Sequence, residues 1–194
     1  MKLGRDDAGD RAMIEAIREC LRQEMEADSR VMVIGEDVGQ LGGVFRATDG
    51  LQSQFGRDRV YDMPLAEGVI VGSGIGLAIS GLRPVVELQF LGFGHQAFHQ
   101  IGQQVARLRF RSQGRHSLPM VIRAPFGGGV RTPELHSDAF EAYYAHTPGL
   151  KVVVPSNPYF VNSSRVSSST RSSSSASSTM STLFMNTTMY GTPT

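Results

Sequence analysis

The chain has 194 residues, a net charge of +1 and one cysteine, Cys20. That length suits one domain with a sizeable core. Near-neutral charge gives no field for nucleic acid or anionic lipid, and a single cysteine excludes an internal disulfide framework and any paired-cysteine zinc site.

The start, MKLGRDDAGDRAM, lacks the apolar stretch of a secretory signal, and no apolar run approaches the ~18 residues of a membrane span. A soluble, cytoplasmic chain is expected. From Asp10, a candidate N-cap, Met13, Ile14, Ile17, Leu21 and Met25 recur at helical spacing. VMVIGED then reads as a buried strand whose carboxyl end carries Glu36 and Asp37. A glycine-rich loop, QLGGVF, and a short helix near TDGLQSQFG lead to a second strand, RVYDM.

Glu67 follows in DMPLAEGVI, at the head of a helix of small residues expected over 66–80 and ended by Gly81. An ionised Glu at the edge of an apolar run is seldom buried without a partner. One reading is a carboxylate stabilised by the helix N-terminus; the other is a carboxyl able to share a proton with a ligand nitrogen. Gly72, Gly74 and Gly76 lie within the helix at the wrong spacing for a dinucleotide fingerprint, so close helix packing accounts for them better.

A strand PVVELQF comes next, with Gln89, Phe90 and Phe93 at or beyond its end, then one long amphipathic helix over 96–111. Aromatic rings there serve either the core or a flat heterocycle. His95 and His99 are four apart but lack the H-E-x-x-H pattern, so zinc is not expected. The strand PMVIRAP, the loop FGGGVRTPELHSD, the helix AFEAYYAH and the strand LKVVVPS complete the ordered pattern. Gly127 to Gly129 are read as a flexible loop, and His136 beyond it is a candidate acid, base or anion ligand.

Alternating strands and helices predict an α/β fold: a doubly wound, mostly parallel sheet with helices on both faces, whose ligands bind outside the carboxyl ends of the strands. Glu36, Glu67 and the His136 loop all fall at such ends. At Phe160 the pattern breaks, and the last 35 residues hold 12 Ser and 7 Thr with no acidic residue. Composition predicts disorder over 160–194, after a domain spanning 1–159. A reading-frame shift near residue 160, with a second domain missing beyond it, is the expected origin of this tail.

VIGEDVGQLGGVFRATDGLQSQFGRDRVYDMPLAEGVIVGSGIGLAISGLRPVVELQF, IRAPFGGGVRTPELHSD and HTPGLKVVVPSNPY together resemble the beta subunits of thiamine-diphosphate-dependent 2-oxoacid dehydrogenases. The likeness covers about residues 11–159 and falls on the pyrimidine-binding domain, of transketolase-like fold. It implies that Glu67 hydrogen-bonds a ring nitrogen of the cofactor's aminopyrimidine and relays the proton that activates it. It also implies that Phe93 lies against that ring, that Gln89 lines the same pocket, and that His136 helps pass the acyl group to a lipoyl arm. Many relatives carry Gln where this chain has Asp138.

No Gly-Asp-Gly segment is present, so the resemblance places magnesium and the diphosphate on a partner alpha subunit. The implied assembly is an alpha-two beta-two heterotetramer that serves a lipoyl acyltransferase and takes a small 2-oxoacid. The chain alone is then not an enzyme, and contributes neither a nucleic-acid nor a membrane site. FGGGVRTPELHSD favours pyruvate, while a branched-chain 2-oxoacid dehydrogenase beta subunit, a catalytically silent fragment and a generic nucleotide-binding module stay open.

Overall fold

The computed structural model describes residues 13–127, 132, 134–155, 158, 161 and, as backbone, 181–187. The expected cap Asp10 and the glycines at 128 and 129 lie outside the described residues. Six strands form one sheet: β1 (Val31–Gly35), β2 (Val60–Asp62), β3 (Arg83–Glu87), β4 (Val121–Phe126), β5 (Leu150–Val153) and β6 (Ser181–Thr187). Their order is β2-β1-β3-β4-β6-β5, and every pair is parallel. This is the doubly wound α/β sheet expected from the alternation of elements.

The central strands are apolar because parallel strands covered on both faces are shielded from water. One core gathers α1 (Met13–Ala27) and α2 (Leu51–Phe55) onto Val31, Val33 and Val60. The opposite core packs α3 (Glu67–Ile79) and α5 (Glu141–Ala145) against Ile34, Val86, Leu88 and Ile122. Ala16, Ile17, Leu21 and Met25 form the buried stripe of α1, and each such side chain contributes roughly 1–3 kcal/mol on leaving water. Arg59 closes the amino end of the sheet: its guanidinium donates to the carbonyls of Met25 (2.9 Å), Asp28 (3.0 Å) and Val31 (2.9 Å).

Helix α3 begins one residue later than expected and is followed by Gly81 in the left-handed region at φ 94°. Close packing explains one of its three central glycines. A Cβ on Gly74 would meet Val86 at 2.5 Å and Met120 at 3.0 Å, whereas one on Gly72 or Gly76 would meet nothing within 4 Å.

Two expectations are corrected. The segment 96–111 is not one helix: a 3₁₀ turn spans Leu91–Ala97, a π turn spans His99–Val105, and α4 is the short Leu108–Arg111. Ala97, Ile101 and Val105 are nonetheless all buried. The second correction concerns the Ser/Thr-rich tail, where residues 181–187 form β6 in the sheet interior, between β4 and β5. Its partners run from Val121↔Thr182 to Phe126↔Thr187 on one side, and Leu150↔Ser181 to Val153↔Phe184 on the other.

No helix among the described residues is long and apolar enough to cross a membrane. Because, among the described residues, β5 joins the sheet through β6, a chain ending at residue 180 is predicted to lose the seat of β5. Its urea midpoint should fall, and the α5–β5 region should become protease-sensitive first. An unchanged midpoint and cleavage pattern would contradict this placement of β6.

Candidate functional site

The winding direction of the sheet reverses between β1 and β3, which pair directly while β2 lies outside β1. At such a reversal the loops leaving the two strands part and open a crevice beyond their carboxyl ends. Glu36 and Asp37 leave β1 there, Gln89 lies two residues past β3, and Glu67 opens α3.

Glu67 is only 3% exposed, and its Oε2 has no hydrogen-bond partner. Ala66, at the N-cap, offers no side-chain acceptor, so the carboxylate sits where free N–H groups and the helix dipole favour negative charge. A buried carboxylate oxygen with no partner is costly, typically by about 1–3 kcal/mol or more. It is one of several buried polar atoms without a hydrogen-bond partner among the described residues, with Glu87 Oε2, Glu141 Oε2 and the Arg123 guanidinium nitrogens; of these, Glu67 alone stands at the amino end of α3 beyond the sheet.

The loop after β1 is firmly built. Asp37 takes φ 57°, its carbonyl accepts from Gly43 N–H at 2.7 Å, Thr48 Oγ1 donates to the Val38 carbonyl at 2.8 Å, and Gly39 N–H donates to Asp62 Oδ1 at 2.6 Å. Gln89 Nε2 donates to Asp37 Oδ2 at 3.3 Å, tying the end of β3 to this loop. Beneath it, Arg123 Nη1 lies 2.5 Å from Glu87 Oε2 in a buried ion pair across β3 and β4. Removing either partner would strand a buried charge, a loss of about 3–5 kcal/mol.

An aromatic cluster follows the end of β3. His136 packs edge-on against Phe90 (4.7 Å between centroids) and Phe93 (5.1 Å), and Phe45 meets Phe90 at 5.4 Å. The His136 ring Nδ1 lies 2.8 Å from the Glu134 carbonyl oxygen. A carbonyl only accepts, so Nδ1 carries the hydrogen and a neutral ring keeps its lone pair on Nε2, the atom suited to taking a proton. Two consecutive residues before it, Glu134 (φ 58°) and Leu135 (φ 64°), are left-handed. That conformation is unfavourable for side chains of this size, and such strain concentrates at functional sites.

Thus Gln89 joins the acidic loop and Phe93 joins His136, while Glu67 heads α3, which packs on β1, β3 and the Leu91–Ala97 turn. The close approach of Gly68 to the Gln96 carbonyl, 3.3 Å from a Cβ built there, seats α3 on the aromatic segment. His95 takes another role, stacking on Phe140 at 4.0 Å. Glu36 was legible only as a strand-end carboxylate. Its nearness to Glu67 depends on the β1–α3 arrangement, which no local pattern encodes.

Burial, then the charges of Asp37 and Glu67, push the Glu36 carboxyl above its ordinary value. The folded chain therefore holds this proton more tightly than the unfolded one. Ionisation removes stability as pH rises from the ordinary carboxylate range through the raised folded value. Glu36→Gln should accordingly raise Tm at neutral pH, with the gain disappearing on acidification below about 4. An equal gain at both pH values in thermal melts would show that charge is not the cause.

Residues 10–172 match the family model described as transketolase, pyrimidine binding domain. The chain is 54% identical over 156 residues to the pyruvate dehydrogenase E1 component subunit beta of Staphylococcus epidermidis, and 53% identical over the same length to that of Bacillus subtilis. Each match covers 80% of this chain and 48% of the relative, so the chain spans about half the length of the curated relatives it matches. Among solved structures, a split-gene transketolase described as an inactive beta4 tetramer is similar at TM-score 0.66 and 19% identity, covering 92% of this chain and 52% of that one. Transketolase from Campylobacter jejuni is similar at TM-score 0.69 and 12% identity, over 95% of this chain and 26% of the other. At these identities the structural likeness speaks to fold alone. With its parallel sheet and most of its length matched, the chain belongs to the transketolase pyrimidine-binding-domain family.

Proposed function

We propose that this domain is the cofactor-activating part of a pyruvate dehydrogenase beta subunit, working on thiamine diphosphate shared with an alpha subunit. The observation that carries this reading is Glu67: 3% exposed, at a helix N-terminus, with Oε2 unpaired. An aminopyrimidine would suit that oxygen in hydrogen bonding, since a ring nitrogen beside a carboxyl group shares one proton and would satisfy it. Identity above 50% to two pyruvate dehydrogenase beta subunits supports pyruvate as the 2-oxoacid.

In this reading the cofactor, when bound, supplies the nucleophilic carbon and the electron sink for decarboxylation. Glu67 holds the proton at the pyrimidine nitrogen and keeps it mobile because water is excluded from its surroundings. Phe93 would be the aromatic residue set against the heterocycle, while Gln89, fixed through Asp37, would line the pocket edge. His136 presents Nε2 for proton exchange as the acyl group passes to a lipoyl arm of the complex's acyltransferase. Magnesium and the diphosphate are assigned to the alpha subunit, in an alpha-two beta-two assembly.

Co-expressed with a bacterial alpha subunit, the chain is expected to support thiamine-dependent release of carbon dioxide from pyruvate. Glu67→Ala should lower that release by about 100-fold or more, the usual scale for losing a proton-transfer group, while the subunits still co-purify. Near-normal release by the variant would sink the proton-holding role.

A further inference from the structure

The turn that carries His136 is held by backbone against backbone. A Cβ built on Gly92 would lie 1.8 Å from the Leu135 carbonyl oxygen, 2.7 Å from its carbon and 3.2 Å from its Cα. These are main-chain atoms, so no flexible side chain could swing aside to make room. Around Leu135 the chain folds into a tight reversal: His136 N–H donates to the Glu134 carbonyl at 2.7 Å, and Asp138 N–H to the Leu135 carbonyl at 3.3 Å. With φ of 64° at Leu135, this is the strained form of a three-residue turn, which persists only where its surroundings impose it. The Leu135 side chain contributes little to that, being 43% exposed.

Phe90 and Phe93, the two rings against His136, flank Gly92 in sequence. One short segment therefore provides both walls for the imidazole and the gap into which its turn presses. We propose that Gly92 is a positioning residue for His136: its missing side chain lets the Leu135 carbonyl seat, and that seat sets the imidazole against Phe90 and Phe93. This rests on the acyl-transfer role proposed for His136, although the positioning itself is measurable without it.

The test uses the whole chain with 13C-labelled histidine. In the wild type, ring currents from Phe90 and Phe93 should displace the His136 carbon-bound proton signals from free-imidazole positions. In Gly92→Ala they should return to free positions while the His95 signals, governed by stacking on Phe140 at 4.0 Å, stay displaced. Unmoved His136 signals in this variant would overturn the proposal. If Gly92→Ala also loses the His95 displacement, Leu135→Ala decides: backbone seating predicts that it keeps the His136 displacement, and loss there overturns the proposal.

In the assembled enzyme, Gly92→Ala should lower acyl transfer to a lipoyl domain by about 10- to 100-fold, as small misplacements of a reacting group do. Decarboxylation read with an artificial electron acceptor should fall less than acyl transfer. Equal loss of both would overturn the proposal. Full acyl transfer by His136→Ala would instead remove the role given to His136, leaving the seat on Gly92 to be judged by the resonances.

Discussion

A carboxylate taken out of water without a partner is the constraint around which the rest of this domain is arranged. Glu67 stands at the first residue of α3, 3% exposed, with one oxygen unpaired. The helix N-terminus offsets part of the cost of burying it, and the apolar packing of α3 on β3 supplies the stability that tolerates the remainder. An account of the domain that leaves this oxygen idle has no explanation for its cost.

Everything near Glu67 is fixed more tightly than loops usually are. The reversal between β1 and β3 opens the crevice, but the loop after β1 keeps its shape through Asp62, Thr48 and the paired amides around Gly43. Gln89 bridges that loop to β3, and the Glu87–Arg123 pair stiffens the strand ends below. The aromatic side is organised differently, by rings and by a strained turn resting on a glycine. A rigid acidic half and a seated imidazole half suit a site that must hold a proton in one place and exchange it in another.

Most strands and helices were legible because each apolar run had the period and length of its element and ended at Gly, Pro or a polar cluster. The exceptions have physical causes. Apolar residues over 91–105 fit a single α-helical stripe, and nothing in their local spacing marks where the chain changes from a 3₁₀ turn to a π turn. In the tail, serine and threonine dominate the composition, and nothing there marks 181–187 as the strand that pairs with β4 and β5. Glu67 and His136 stood out because a charged or titratable group beside glycine-rich, apolar sequence demands a reason. Glu36 and Gly92 act through partners far along the chain, Glu67 for one and Leu135 for the other, and local patterns carry no record of such contacts.

The central claim is that Glu67 holds a proton against a pyrimidine nitrogen, and 15N resonance of the bound cofactor tests it most directly. With thiamine diphosphate labelled in its aminopyrimidine ring and bound to the assembled subunits, the ring nitrogen facing Glu67 should resonate as a protonated or strongly hydrogen-bonded nitrogen. In a Glu67→Ala assembly that still binds the cofactor, it should return to the position of the free, unprotonated ring. The same nitrogen shift in both proteins would contradict the account, and the buried carboxylate would then need another purpose.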